Sequence, residues 1–192
     1  RLGGTFLYLP LSYTPQVIRR NLQTLCTALD VTYDPAEDEA RAQQALRHAK
    51  ALLGDTEIAI DYTATPAPMS LARCLIEHGL RVSRIYADSI AAGDLDDFRW
   101  LQEHAPDLSL YATVEVKLRV LPRRTERPML AIGQKAAYFT GTQHFVNIVE
   151  GGGMYGFDGI CRLCARIEEA FLTARDPRNY IQQKGLGCES CL

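Results

Sequence analysis

Four cysteines stand in two pairs, Cys161-x-x-Cys164 and Cys188-x-x-Cys191, with 23 residues between the pairs. Thiolates at such spacing are the donor set of zinc ribbons and iron–sulfur sites. The two pairs sit in different surroundings. Cys161 and Cys164 fall at i and i+3 of a helical stretch, on a face shared with Ile160 and Ile167, where cysteine behaves as a small buried hydrophobe. Cys188 follows Gly187, as the tight turns of metal knuckles do. The residues leave open a four-cysteine metal site, a tail pair serving an intersubunit cluster or a redox disulfide, and a structural role. Cys26 and Cys74 lie on apolar helix faces and read as core.

Other chemistry-bearing residues are scattered. His144 could ligate a metal or donate a proton, or rest on backbone as a loop histidine. Glu115 and Asp61 could act as acid–base groups, or hold a substrate, if burial raises their proton affinity. Their plain alternative is helix capping, or ion pairing near Lys117. Glu150 adjoins Gly151, Gly152 and Gly153, and this glycine-rich loop runs into the last helix with Asp158 placed as its N-cap. Such a loop lets a ligand approach backbone closely, and a helix start adds N–H groups and partial positive charge. It can equally be a plain connection. Glu115 and His144 are the expected catalytic pair. Asp61, Thr63, Glu150, Gly151, Gly152 and Gly153 are the expected cofactor contacts. His48, His78 and His104 lie on helices and read as surface.

The elements that must position these residues come in two styles. Thr14-Pro15 is an N-cap with a first-turn proline, opening a helix with Val17, Ile18, Leu22, Leu25, Cys26 and Leu29 on one face. Asp34-Pro35 repeats the signal and opens a charged, alanine-rich helix that Gly54 closes. Its thin apolar stripe (Ala42, Ala45, Leu46, Ala49, Leu53) suits a linker or inter-domain helix. From residue 56, strands alternate with helices: TEIAIDY, PMSLARCLIEHG, RVSRIYA, DLDDFRWLQEHAP, DLSLYATVEV and MLAIGQ, then the glycine loop and last helix. This alternation argues for parallel βαβ units with right-handed crossovers. The expected fold is α/β, a Rossmann-like three-layer domain with a four-stranded parallel sheet. The expected divisions are a helical lead-in at 1–54, the sheet domain at 55–176 and a tail at 177–192. Ligands in such folds sit beyond the carboxyl ends of the strands. Those positions are Asp61, Tyr62 and Thr63, then Asp88 and Ser89, Thr113 and Glu115, and Gln134 and Lys135. The first turn, DYTATPAPMS, has no G-x-G-x-x-G and carries prolines that lack N–H donors, which argues against a dinucleotide.

Bulk properties narrow the classes. The 192 residues suit one domain with an appendage, and 47% hydrophobic with 23% charged residues is ordinary for a globular chain. A net charge of −2 argues against nucleic-acid and membrane-surface binding. No apolar run is long enough for a membrane span. The abrupt apolar start, RLGGTFLYLPL, reads as a domain excised from a longer chain, and a reducing, cytoplasmic setting is expected.

The order of these pieces resembles the C-terminal part of component 1 of nitrogenase-type oxidoreductases. That group includes the molybdenum–iron protein, the cofactor-assembly scaffold pair and dark-operative protochlorophyllide reductase. The resemblance rests on EIAIDYTATPAPMSLARCLIEHGLRVSRI, on HAPDLSLYATVEVKL with Glu115 on the family's acidic position, and on GGGMYGFDGICRLCARIEEAF. It implies a subunit that pairs with a homologous partner. An ATP-dependent iron–sulfur reductase would supply electrons to a cavity whose one wall is this domain. An iron–sulfur cluster or metallocluster would belong to the full protein, and none need sit in this domain alone. The isolated domain is expected to be inactive. In the dinitrogen-reducing enzyme a histidine just before the glycine loop ligates the cofactor. Counting back from Gly156, that place falls near Val146-Asn147, and the nearest histidine is His144. Either His144 takes the role through a longer loop, or the ligand is absent. Absence, the favoured reading, points to a scaffold or a divergent reductase.

Overall fold

A computed structural model describes residues 6–120 and 127–177. Five short apolar strands, β1 (Glu57–Asp61), β2 (Arg81–Tyr86), β3 (Ser109–Tyr111), β4 (Met129–Ile132) and β5 (Phe145–Val146), form one sheet in the order β3-β2-β1-β4-β5. Every pairing is parallel. The direction of strand order reverses between β1 and β4, which leaves a crevice at their carboxyl ends. The expected sheet had four strands. The fifth, Phe145-Val146, is too short to show a period, and in the sequence it is not distinguished from the loop before the last helix.

Among the described residues six α-helices accompany the sheet: α1 (Pro15–Leu29), α2 (Ala36–Leu53), α3 (Pro68–Glu77), α4 (Leu95–His104), α5 (Gln134–Thr140) and α6 (Gly156–Leu172). Strand side chains alternate between faces, and the two faces are covered unequally. Ile58, Ile60, Ile85, Leu130, Ile132 and Val146 join residues of α2, α3 and α6 in the large core. Ala59, Tyr86, Met129, Ala131 and Phe145 form a smaller cluster with Ala136 and Ala137 of α5. Tyr86 stacks there between Tyr111 and Phe139, at centroid distances of 5.2 and 5.1 Å.

Several local expectations change. The alanine stripe of α2 does not stand apart as a linker face: Ala42, Leu46, Ala49 and Leu53 are buried, and the helix packs along α6. Small side chains permit that close approach. α1, by contrast, buries only Ile18 of its apolar face. The strand expected over DLSLYATVEV stops at Tyr111. The Asp88 carboxylate takes the Thr113 hydroxyl and, at 3.1 Å, the Val114 N–H, drawing the chain out of the ladder into a 3₁₀ turn over Val116–Arg119. Asp158 is not the cap of α6. The helix begins at Gly156, and Asp158 pairs within its first turns with Arg162 at 3.0 Å. α5 itself was not foreseen.

Candidate functional site at the carboxyl ends of the strands

β1 delivers Asp61 into the interior at the start of the crevice, fully buried. One carboxylate oxygen accepts the N–H groups of Thr63 (2.8 Å) and Ala64 (3.1 Å) and the Thr63 hydroxyl; the other accepts the N–H of Ala136 at 2.7 Å. Asp61 therefore folds the turn after β1 and caps the first turn of α5, which has no capping side chain of its own. Burial pushes its carboxyl above the usual range, while the hydrogen bonds from Thr63, Ala136 and Ala64 pull it back. Gly133 makes the cap possible. It takes φ +109°, and a Cβ there would lie 2.2 Å from Asp61 Oδ2.

The loop after β5 docks onto the same turn. Glu150 N–H donates to the Thr63 carbonyl at 2.8 Å and Gly151 N–H to the Ala64 carbonyl at 2.6 Å. The expected contacts Asp61, Thr63, Glu150, Gly151, Gly152 and Gly153 are thus brought together at one end of the sheet. The N–H groups of Thr63, Glu150 and Gly151 are already committed, however, and so is that of Gly152, which donates to the Val149 carbonyl at 3.0 Å. Gly151 has φ +80°, and a Cβ there would strike the Tyr155 hydroxyl at 2.2 Å. As built, the loop is a clamp on the β1 turn more than an open cradle for an anion.

Outside this clamp, a row of polar side chains crosses the sheet. Lys135, after β4, donates from Nζ to the Tyr62 hydroxyl after β1, and its Nζ lies 4.3 Å from the Tyr62 ring centroid. Asp88, after β2, accepts from Thr113, after β3. Thr113, then Tyr62 and the Lys135 charge, hold the Asp88 carboxyl below its usual range. Beyond Lys135, Gln134 donates to the Asn147 side chain at 2.5 Å. The positions of Tyr62, Asp88, Thr113, Gln134 and Lys135 follow from strand ends in the sequence. Their contacts do not, because they depend on strand order.

The expected catalytic pair is not brought together. Glu115 is exposed beyond β3, where its carboxylate caps the 3₁₀ turn by accepting from Lys117 N–H at 3.1 Å. His144 precedes β5, so it stands at the amino end of the sheet. Its Nδ1 lies 3.0 Å from the Ala170 carbonyl in the last turn of α6. The backbone-held reading of His144 describes this geometry. The cysteines are likewise helical: burial pushes the Cys164 thiol up to about 12 and raises that of half-buried Cys161. Buried Cys74 is also pushed up to about 12. Raised thiols are poor metal ligands in themselves, since the thiolate is the donor. Cys188 and Cys191 lie outside the described residues. Among the described residues, no three His, Cys, Asp or Glu side chains gather as a metal set. This part of the chain does not fit the role of holding a cluster by itself.

A groove of about 410 Å³ runs beside β5 and α6, lined by Asn147, Met154, Arg166, Glu169 and Arg175 among others. Both of its arginines turn onto Glu169, at 3.0 and 2.5 Å, so its charges pair internally.

No family model and no curated protein matches this sequence. A solved structure titled "Nitrogenase Cp1 at pH 6.5" does match in three dimensions, with a TM-score of 0.60 over 94% of this chain at 15% identity. The fold is nitrogenase-like. The chain spans 40% of that structure's chain, so the likeness concerns one part of a larger protein. Among the described residues no helix is long and apolar enough to cross a membrane.

Proposed function

We propose that this chain is a domain of a nitrogenase component 1-like oxidoreductase subunit, and that its carboxyl-end crevice forms one wall of a metallocofactor or substrate cavity. The fold likeness across nearly the whole chain carries this reading. The clamp joining the β1 turn to the 147–155 loop supports it, because it gives the crevice a rigid, shaped rim. In this reading the chain's own residues shape and polarise the cavity: Lys135 supplies a cation, Gln134 and Asn147 amides, and Tyr62 a hydroxyl. Any cluster would be held by residues outside the described part of this chain, and would supply the electron storage that protein side chains lack. A paired homologous subunit would complete the cavity, an ATP-dependent iron–sulfur reductase would feed it, and the setting would be cytoplasmic.

The placement of His144 favours one variant of the reading. With its ring on the Ala170 carbonyl at the amino end of β5, it is not offered to the crevice. A cofactor-assembly scaffold, or a reductase of divergent chemistry, fits that better than a dinitrogen-reducing enzyme.

The test is anaerobic purification of the complete subunit with its partner, followed by iron analysis, visible spectra and reductase-dependent ATP hydrolysis. Iron with turnover is expected of a reductase, and iron released to an acceptor protein without turnover is expected of a scaffold. Zinc bound in stoichiometric amount and lost in Cys188→Ser/Cys191→Ser, with no iron, would replace both readings by a metal-binding module.

A further inference from the structure

We propose that Thr113, Asp88, Tyr62 and Lys135, standing on the carboxyl ends of the adjacent strands β3, β2, β1 and β4, form a proton-transfer track from solvent to the crevice. This rests on the function proposed above, because a group reduced in that crevice must also be protonated there. Four neighbouring strands each contribute one proton-carrying or proton-accepting side chain, in strand order. Asp88 is the exposed member of the row, whereas Thr113, Tyr62 and Lys135 are half-buried. The charges alternate as a relay needs: Lys135 ammonium donates to the Tyr62 oxygen, and the Asp88 carboxylate on the far side is stabilised by the Thr113 hydroxyl, the Val114 N–H, Tyr62 and Lys135.

Transfer runs inward without net charge accumulation. A Lys135 N–H bond breaks as its proton moves to a basic atom in the crevice, leaving a neutral amine. The amine takes the Tyr62 hydroxyl proton, and the phenolate takes one from Asp88, which solvent hydronium has protonated. Each bond broken along the row is re-formed one place further out, and one proton passes from water to the crevice. Tyr62 is the indispensable middle member. Asp88 and Lys135 both hydrogen-bond to it, and its strand, β1, lies between β2 and β4.

Tyr62→Phe tests this, since it removes one hydroxyl and leaves ring, cation and carboxylate in place. The chain has only four lysines, so the ¹⁵N–¹H ammonium signals are few. In the wild-type chain the Lys135 ammonium should exchange with water about fivefold more slowly than exposed Lys117, and Tyr62→Phe should abolish the difference. In the complete enzyme, with dihydrogen formation from protons as the probe, Tyr62→Phe should lower kcat about tenfold and raise the solvent isotope effect, with the reductase KM unchanged. Unchanged ammonium exchange in Tyr62→Phe would overturn the row itself. Altered exchange with unchanged dihydrogen formation would overturn its role in proton delivery. A wild-type enzyme that forms no dihydrogen while the exchange difference persists would remove the reductive function, and the delivery role with it, but leave the hydrogen-bonded row standing.

Discussion

Asp61 and Asp94 are both buried carboxylates that cap a helix to which they do not belong. Asp94, in the turn before α4, accepts the N–H groups of Met69 (2.8 Å) and Ser70 (2.9 Å) at the start of α3. Asp61 reaches from β1 to α5 and folds its own turn as well. One ties two neighbouring helices together on the thick face of the sheet. The other ties two strands' loops across the crevice, where every proposed contact lies. Equal chemistry therefore has unequal consequence: loss of Asp94 loosens one helix start, whereas loss of Asp61 dismantles the site.

Breaking the Asp61 side should have the largest effect. Asp61→Asn turns an amide NH₂ onto backbone N–H groups that can only donate, and is expected to cost about 3–5 kcal/mol in urea unfolding. Gly133→Ala should cost about 3 kcal/mol through its backbone conformation and the clash with Asp61 Oδ2. In an Asp61→Ala background the same change should cost clearly less. Additive losses in that cycle would mean the cap and the glycine are independent.

The Asp94 side can be probed by pH. Burial raises its carboxyl from 3.8 to about 6 in the folded chain, so the folded state binds a proton more tightly than the unfolded one. Its stabilising contribution is complete below pH 3.8 and is lost as pH rises through about 6. The shift corresponds to roughly 2–3 kcal/mol at most. The urea midpoint should therefore fall between pH 4 and 7, and Asp94→Asn should flatten that slope. A slope that survives the substitution would assign it to other groups. The smallest effect is expected at the amino end. His144→Gln removes one contact to the Ala170 carbonyl, and should cost about 0.5–1 kcal/mol with no change in metal content or turnover of the complete enzyme. A large loss of bound iron would return His144 to the cavity.

The legibility of the sequence followed the distance over which each feature is encoded. β1, α3, β2 and α4 carry their signals within themselves: apolar runs, Pro68 at a helix start, Gly79 after a helix end. α5 carries none, because its cap arrives from Asp61 75 residues away. Missing β5 followed from its two-residue length, and this misplaced His144, since a strand beginning at Phe145 sends the residue before it to the opposite end of the sheet. The residues of the carboxyl ends were readable once the βαβ order was known. Their partnerships were not, because Lys135 meets Tyr62 only when β4 lies beside β1.

The position of Asp61 also bears on what this scaffold can become. Open α/β sheets commonly receive a ligand, often a phosphate, at a helix start beside the switch point of the strand order. Here the chain has placed its own carboxyl group there and bent Gly133 around it. A descendant could acquire a nucleotide only by first giving up that carboxylate, and so by passing through a form without the bond that holds the two loops.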